Sequence, residues 1–268
     1  MTQAMSLQSG VGHAGWKLFL CGETASTNDV ARDLSAWSAV RADRQTSGRG
    51  RFGRAFVSDP GGLWISAVLP ADGGAGRWLG FSLMVGLHLV RMLDALQIPD
   101  ARLRWPNDLM SGKKKLGGLL IEQSAQDRLI VGFGLNLSNA PWRSDPALEA
   151  ISTSIACLLS SVPSLEEMTI LTLNALADAH QEMETGGMRA AIHGLNTLWN
   201  RLVPVEILLS DAQKISGRFI GLDSKGNLRL LDARNSEFLV GHQGIEKLIE
   251  LDSPNACDDH PPHTKTTL

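Results

Sequence analysis

The spacing of apolar residues predicts a large first domain that contains both strands and helices. Apolar runs of strand length, bounded by polar or turn residues, occur at 16–20, 63–69, 101–104, 116–122 and 129–137. Helical spacing predicts a helix that is capped by Ser26 or Thr27 and runs through Trp37, and further helices over 76–96, 165–183 and 188–202. The stretch 76–96 is apolar on nearly every side, so we expect that helix to be buried.

The pattern changes after residue 202. Five short alternating runs follow, separated by turn residues, and they predict a small β-barrel. We therefore expect a large domain over 16–202 and a barrel over 203–250. The flanking segments, 1–15 and 251–268, have few large apolar residues, and we expect both to be disordered.

Composition restricts the classes of function. The net charge of −3 gives no overall attraction to nucleic acid, and the cationic groups concentrate at 49–54 and 113–115, which suits a small anionic ligand. Three cysteines lie far apart, so neither a disulfide framework nor a zinc site is indicated. The N-terminus lacks the pattern of a signal peptide, and polar residues interrupt the longest apolar stretch. We expect a cytoplasmic protein with no membrane or DNA partner.

Residues 45–54 are the most informative stretch, because three glycines and three arginines interleave there. Glycine allows the backbone to approach a ligand closely, and the arginine guanidinium suits phosphate and carboxylate oxygens. The stretch therefore predicts an anion clamp. The alternative is a solvated basic surface loop.

Three further segments carry candidate chemistry. Residues 104–108, Arg-Trp-Pro-Asn-Asp, precede Lys115. A carboxylate, an amide and a lysine that lie together would suit the phosphates of a nucleotide with a divalent cation. The alternative is a turn followed by the tip of a basic hairpin. The alternating glycines of 132–136 leave part of a strand face bare, where a flat ring can pack. By itself, 26–28, Ser-Thr-Asn, indicates no more than a helix N-cap.

These segments, in their order along the chain, resemble the motifs of the biotin protein ligase family. The motif positions here are 26–28, 45–54, 104–108, 115–120 and 132–136, and the resemblance extends over 16–249. It implies an α+β fold, a mixed sheet flanked by helices, with a small SH3-like barrel at the C-terminus. It also implies ATP-dependent biotinylation of a lysine on a biotin carboxyl carrier protein of a biotin-dependent carboxylase, through biotinyl-5′-AMP.

The resemblance assigns roles to individual residues, with biotin and ATP as substrates and Mg²⁺ as cofactor. The implied catalytic residues are Lys115, Arg51 and Asp108. The implied biotin-binding residues are Ser26, Thr27, Asn28, Gln45, Arg49, Gly50, Arg51 and Lys115. The implied nucleotide-binding residues are Arg49, Arg54, Arg104, Asn107 and Asn136. Asp108 is expected either to position the metal indirectly or to help deprotonate the acceptor lysine.

Some positions depart from the family pattern. Arg104 stands where the family usually has lysine, and Phe56 stands where it often has tryptophan. No room precedes Trp16 for a winged-helix DNA-binding domain, so we expect the ligase-only type, as a monomer or homodimer.

Two rival functions stay open. A lipoate or octanoyl ligase of the same fold also handles an aliphatic carboxylate and a carrier lysine, but the Gly/Arg stretch and the Trp-Pro-Asn-Asp motif favour biotin. A non-catalytic biotin-binding module would need neither Lys115 nor Asp108.

Overall fold

The structure, a computed structural model, describes residues 5–73, 75–125, 127–199, 203–241 and 245–251. It divides into two compact units, a larger one that extends to Leu198 and a smaller one that begins at Trp199. The tail predicted to be disordered lies outside the described residues except for Leu251.

The larger unit is built on an eight-stranded mixed sheet. Its strands are β1 (Ser6–Val11), β2 (Trp16–Thr24), β3 (Ser38–Gln45), β4 (Leu63–Pro70), β5 (Ala101–Arg104), β6 (Asp108–Ser111), β7 (Lys114–Ala125) and β8 (Arg128–Leu135). Their order across the sheet is β1-β2-β3-β4-β8-β7-β6-β5. The β2–β3 pair is parallel and every other neighbouring pair is antiparallel. The predicted α+β class is confirmed.

Four α-helices accompany the sheet in the part of the chain that the structure describes. They are α1 (Thr27–Ala31), α2 (Phe81–Ala95), α3 (Leu165–Gly186) and α4 (Met188–Leu198). Helix α2 buries most of its residues, as its apolar composition predicts. Among the described residues, Gly76–Ala95 is long and apolar enough to cross a membrane by length and composition, but 61% of that window is buried inside the fold, as in a core helix.

The parallel pairing of β2 with β3 brings two of the sequence motifs together. Parallel strands end at the same edge of a sheet, and Thr24 pairs with Gln45 at that edge. The chain leaves β2 directly into α1, and it leaves β3 into the Gly/Arg stretch. Residues 26–28 and 45–54, far apart in sequence, therefore lie together.

Strand register places the remaining motifs on one face of the sheet. Residues directly opposite each other on paired strands share a face. One such row across the sheet consists of Trp64, Gly134, Gly118, Asp108 and Arg104. The next row on the same face contains Ser66, Gly132 and Leu120, and the row after it contains Val68, Ile130 and Glu122.

The smaller unit is a five-stranded antiparallel sheet. Its strands are β9 (Val203–Leu209), β10 (Lys214–Leu222), β11 (Leu228–Leu231), β12 (Glu237–Val240) and β13 (Ile245–Glu250), in the order β12-β11-β10-β9-β13. All five strands match the predicted runs. Within its described residues the two edge strands, β12 and β13, do not pair, so closure into a barrel stays a prediction.

The structure corrects the sequence interpretation at the N-terminus. Ser6–Val11, expected to be disordered, forms β1 and pairs with β2. Its side chains are almost all exposed, so backbone hydrogen bonds hold the strand and no apolar pattern signals it.

Helix α1 is shorter than predicted. It ends at Ala31, and Ser26, which precedes it, makes no side-chain capping bond. The chain must return along the sheet to Ser38, which pairs with Lys17. Between Ala31 and Ser38 the chain forms turns, and Trp37 has a φ of 61°, which is outside the helical range, so the helix cannot continue to that residue.

Candidate active site

A cleft opens on the face of the sheet described above. Eight of the residues singled out from sequence line it: Ser26, Thr27, Asn28, Gln45, Arg49, Gly50, Asn107 and Lys115. Apolar residues and glycines complete the lining: Phe56, Ile65, Leu119, Leu120, Phe133, Gly118, Gly132 and Gly134. The cleft thus has polar groups at its ends and apolar surface between them, as small-molecule sites do.

Two glycines of β8 form the floor of the cleft because their missing side chains make room for others. A Cβ on Gly134 would lie 2.7 Å from a ring carbon of Phe56. A Cβ on Gly132 would press against the amide of Asn28. The close approach of Phe56 and Asn28 to the sheet therefore requires glycine at both positions.

Gln45 and Thr27 form a hydrogen-bonded pair at one end of the cleft. The amide oxygen of Gln45 accepts from the backbone N–H of Thr27 at 2.8 Å and from its hydroxyl at 3.0 Å. The amide nitrogen of Gln45 donates to the hydroxyl of Ser58 at 2.9 Å. Both ends of the Gln45 amide are thereby fixed, and the polar groups of this pocket are preorganised.

Asn28 is buried and held by two residues that the sequence did not single out. The hydroxyl of Ser66 lies 2.6 Å from Asn28 Oδ1, and Asn28 Nδ2 donates to Glu122 Oε2 at 2.7 Å. Ser66 and Glu122 face the cleft because they lie in the rows of the sheet that contain or adjoin Gly132. The period of two along β7, from Gly118 to Glu122, is the signal that points to Glu122.

Lys115 and Asp108 form an ion pair at the other end of the cleft. Lys115 Nζ lies 2.5 Å from Asp108 Oδ1, and Arg104 Nη2 lies 2.6 Å from Asp108 Oδ2. Burial alone would raise the pKa of the Asp108 carboxyl, but the charges of Lys115 and Arg104 lower the pKa overall. Asp108 is therefore an ionised anchor for two cations at neutral pH, which makes it a weak base.

Phe56 forms an aromatic wall next to this ion pair. Its ring makes an edge contact with Trp64 at a centroid distance of 5.9 Å. Lys115 Nζ lies 5.5 Å from the ring centroid of Phe56, within the range of a cation–π contact. Asp108 and Phe56 together fix where the Lys115 charge lies.

Comparisons with known proteins identify the family. Residues 24–136 match the Biotin/lipoate A/B protein ligase family. The biotin–[acetyl-CoA-carboxylase] ligase of Paracoccus denitrificans is 31% identical over 226 residues, which cover 79% of this chain and 92% of that protein. The chain belongs to the biotin protein ligase family.

Other members of the family differ in length. The bifunctional ligase/repressor BirA of Escherichia coli is 27% identical over 215 residues, 76% of this chain and 66% of that protein. The chain spans 44% of the BirA of Bacillus subtilis, at 32% identity over 142 residues. Among solved structures, the biotin protein ligase of Aquifex aeolicus in complex with biotin and ATP superposes with a TM-score of 0.75 at 26% identity, over 87% of this chain and 99% of that one.

The arginines that the ligase family resemblance assigns to the Gly/Arg stretch occupy different environments. Arg49 lines the cleft and donates to both carboxylate oxygens of Asp29, at 2.6 and 2.8 Å. The hydrogen bond from Arg49 lowers the pKa of Asp29, and the Asp29 bond raises that of Arg49. Asp29 was not singled out from sequence.

Arg51 and Arg54 lie outside the cleft lining. Arg51 begins a short 3₁₀ turn, Arg51–Gly53, within the Gly/Arg stretch. Burial lowers the pKa of the Arg51 guanidinium, and the nearby charge of Asp108 opposes that shift. Arg51 stays charged, since arginine does not deprotonate in proteins. Arg54 is exposed, and its carbonyl accepts from Gly50 N–H at 2.8 Å.

The two predicted asparagines of the nucleotide site differ in position. Asn107 lines the cleft, and its amide donates to the Leu119 carbonyl at 2.8 Å. Asn136 is buried and is not among the residues that line the cleft; its amide donates to the Thr153 carbonyl and accepts from Asn139, each at 3.0 Å. The bonds of Asn136 join β8 to the following loop, which is a supporting position for the residue expected to face adenine.

Proposed function

We propose that this chain catalyses ATP-dependent biotinylation of a specific lysine on a biotin carboxyl carrier protein. The observation that carries the proposal is the arrangement of the cleft. One end presents the preorganised amide and hydroxyl groups of Asn28, Thr27 and Gln45. The other end presents the Lys115 charge, and apolar surface separates the two.

Each end suits one part of biotin. The ureido ring carries two N–H donors and one carbonyl acceptor, which short hydroxyl and amide side chains can satisfy. The bicyclic ring and valeryl chain are apolar and fit the surface formed by Phe56, Leu120 and the glycines of β8. The carboxylate at the far end of the ligand then reaches Lys115.

The first reaction joins two anions, and Lys115 is placed to permit it. A carboxylate oxygen of biotin attacks the α-phosphorus of ATP, a new P–O bond forms, and the bond to the bridging oxygen breaks to release pyrophosphate. Negatively charged reactants repel strongly in a site that excludes water, so a cation between them lowers the barrier. Because Asp108 fixes the ammonium before the substrates arrive, little reorganisation is needed at the moment of reaction.

The second reaction transfers the biotinyl group. The amine of the carrier lysine attacks the carbonyl carbon of biotinyl-5′-AMP, the amide bond forms, AMP leaves, and the amine loses a proton. Arg49 and Arg51 of the Gly/Arg stretch provide the charges that retain the adenylate until the carrier arrives. The low pKa of Asp108 favours a role in holding Lys115 over the role of general base.

Mg²⁺ enters in this proposal with ATP, as part of the nucleotide substrate. The described residues contain no group of three or more His, Cys, Asp or Glu side chains that could hold a metal ion. The Asp108 carboxylate is already paired with two cations. Magnesium is commonly bound through substrate phosphates with few protein carboxylates, which agrees with delivery by the nucleotide.

The acceptor is the carrier domain of a biotin-dependent carboxylase, as the name of the Paracoccus relative suggests. We place the reaction in the cytoplasm, where that carboxylase substrate is made, with the protein acting as a monomer or homodimer. We also propose that residues 16–202 form the catalytic domain and that residues 203–250 form an SH3-like domain.

Release of pyrophosphate tests the enzymatic part of the proposal. Purified protein is mixed with ATP and Mg²⁺, with or without biotin, and pyrophosphate is measured by a coupled assay. The proposal predicts release that depends on biotin. Biotin binding without pyrophosphate release would instead indicate a binding module. Release that depends on lipoate would indicate a lipoate ligase of the same fold.

A further inference from the structure

Glu122 places a carboxylate on the ligand-binding face of the sheet, although no step of the proposed reaction uses a negative charge there. It lies on β7, in the row next to that of Gly132 and Leu120, which line the cleft. Its side chain is 26% exposed, so most of it is withdrawn from solvent. A carboxylate in such a position is costly unless its oxygens have partners.

The partners of Glu122 fix its position. Oε2 accepts from Asn28 Nδ2 at 2.7 Å and lies 3.5 Å from Arg49 Nη2. Oε1 accepts from Arg32 Nη2 at 3.2 Å. Both oxygens are therefore engaged, and one of the contacts is to a residue of the proposed biotin pocket.

The contact with Glu122 decides which way the Asn28 amide points. The two ends of an asparagine amide have nearly the same shape but opposite hydrogen-bonding character. An ionised carboxylate accepts and never donates, so the end of Asn28 that faces Glu122 must be the NH₂ group. The oxygen then faces the Ser66 hydroxyl, at 2.6 Å. The second N–H of Asn28 is the group left for a ligand acceptor such as a ureido carbonyl.

We propose that Glu122 is a positioning residue for biotin, which acts by fixing the orientation of the Asn28 amide. This inference rests on the proposed function, because it takes biotin as the ligand. Without Glu122 the Asn28 amide can rotate so that its oxygen and nitrogen exchange places. Biotin must then supply the free energy that holds the amide in the binding orientation.

Two substitutions of similar size test the proposal. Glu122→Met keeps the length of the side chain and removes the acceptor, whereas Glu122→Gln keeps one amide oxygen that can accept from Asn28. We expect Glu122→Met to raise KM for biotin about tenfold, the cost of one lost hydrogen bond to a buried group. KM for ATP is expected to stay as in the wild type, and Glu122→Gln is expected to restore most of the biotin KM.

A double-mutant cycle separates action through Asn28 from a general structural role. In an Asn28→Ala background, Glu122→Met is expected to have no further effect on KM for biotin, because the amide that it orients is gone. Additive effects of the two substitutions would overturn the inference, as would equal increases in KM for biotin and for ATP.

Two control variants exclude other routes. Asp29→Asn weakens the ion pair with Arg49 and leaves the contacts of Asn28 in place. If Asp29→Asn raised KM for biotin as Glu122→Met does, a shift of Arg49 would explain both effects, and the inference would fail. Glu23→Met removes another arginine-paired carboxylate, 2.7 Å from Arg44 and outside the cleft lining. It is expected to leave both KM values unchanged.

A measurement on the unmodified protein covers the case in which Glu122→Met does not fold. In ¹⁵N-labelled protein without ligand, we expect one side-chain amide hydrogen of Asn28 to exchange slowly with water, because Glu122 accepts it. Rapid exchange of both hydrogens would contradict the inference. Failure of the wild-type protein to bind biotin would refute the proposed function itself, which the same set of assays reports separately.

Discussion

Asp108 Oδ1 lies 2.5 Å from Lys115 Nζ, so the two residues form a close ion pair at one end of the cleft. They lie on the neighbouring strands β6 and β7, and Arg104 contacts the other carboxylate oxygen. The pair explains how a lysine on a strand can hold its charge in one place before any substrate binds. It also explains how a carboxylate can lie in a site that we propose to bind anionic substrates.

Lys115→Ala is expected to abolish adenylate formation and leave the fold intact. Loss of one group that stabilises charge in a transition state reduces a rate by about 100- to 1000-fold. The measurement is biotin-dependent pyrophosphate release, with circular dichroism to confirm folding. Lys114→Ala is the matched control, because the Lys114 ammonium donates to the Glu149 carbonyl and lies outside the cleft lining. Near-wild-type activity of Lys115→Ala would refute the role given to this lysine.

Asp108→Asn is expected to weaken the fold as well as the activity. The neutral amide leaves the cations of Lys115 and Arg104 close together without their counter-charge. A buried polar group that loses its partner costs about 1–3 kcal/mol, and more where charge is involved. Urea unfolding at neutral pH measures the loss, and Glu23→Gln, at an exposed ion pair, is expected to cost at most about 1 kcal/mol.

The pH dependence of stability follows from the same ion pair. The pKa of Asp108 is lower in the folded protein than its ordinary value of 3.8. Its contribution to the free energy of unfolding is therefore fully present above pH 3.8 and is lost as the pH falls through the lower folded-state pKa. Comparing urea unfolding of the wild type and Asp108→Asn from pH 6 down to about pH 3, we expect the difference to shrink at the acid end. A difference that grew on acidification would contradict the assignment.

Arg51→Ala is expected to weaken retention of the adenylate. A hydrogen bond between charged groups contributes about 1.5–3 kcal/mol, so its loss should speed release of biotinyl-5′-AMP by roughly 10- to 100-fold. The released anhydride would then label lysines of a bystander protein such as albumin, which blotting with streptavidin detects. Arg44→Ala removes an exposed arginine paired with Glu23 and should cause no such labelling. Retention equal to that of the wild type in Arg51→Ala would exclude the role.

Gly132→Ala tests the floor of the cleft. The added methyl group would press against the Asn28 amide, so we expect KM for biotin to rise at least about tenfold, the effect of a lost hydrogen bond to a buried group. Gly22→Ala is the control on β2, because a Cβ there meets nothing within 4 Å. An unchanged KM in Gly132→Ala would show that Asn28 is not needed where the structure places it.

Much of the fold was predictable because most elements carry a strong local pattern. The strands of the smaller unit and the buried helix α2 follow from alternation and from continuous apolar sequence. Strand β1 was missed because exposed side chains carry no such pattern. Strands β3 and β6 were missed because charged residues stand at the end of β3 and β6 contains only two apolar residues. Helix α1 was predicted too long, since the need to return to Ser38 is a constraint of the sheet and not of the local sequence.

Residues of the candidate site that belong to sequence motifs could be predicted, whereas residues that strand pairing brings to the cleft could not. Ser26, Gln45 and Lys115 were found because they stand in motifs that resemble those of the biotin protein ligase family. Glu122 and Ser66 were missed because each is a single polar residue on an apolar strand. Their place on the cleft face depends on the register between strands, which one sequence does not state.

Transfer of biotin to a carrier domain is the direct test of the proposed ligase activity. The purified protein, ATP and Mg²⁺ are incubated with a biotin carboxyl carrier domain and either biotin or lipoate, and the mass of the carrier is measured. We expect addition of one biotinyl group to one carrier lysine, with no reaction from lipoate and none in the Lys115→Ala variant. Transfer of lipoate in preference to biotin, or no transfer of either by a protein that binds biotin, would contradict the proposed activity.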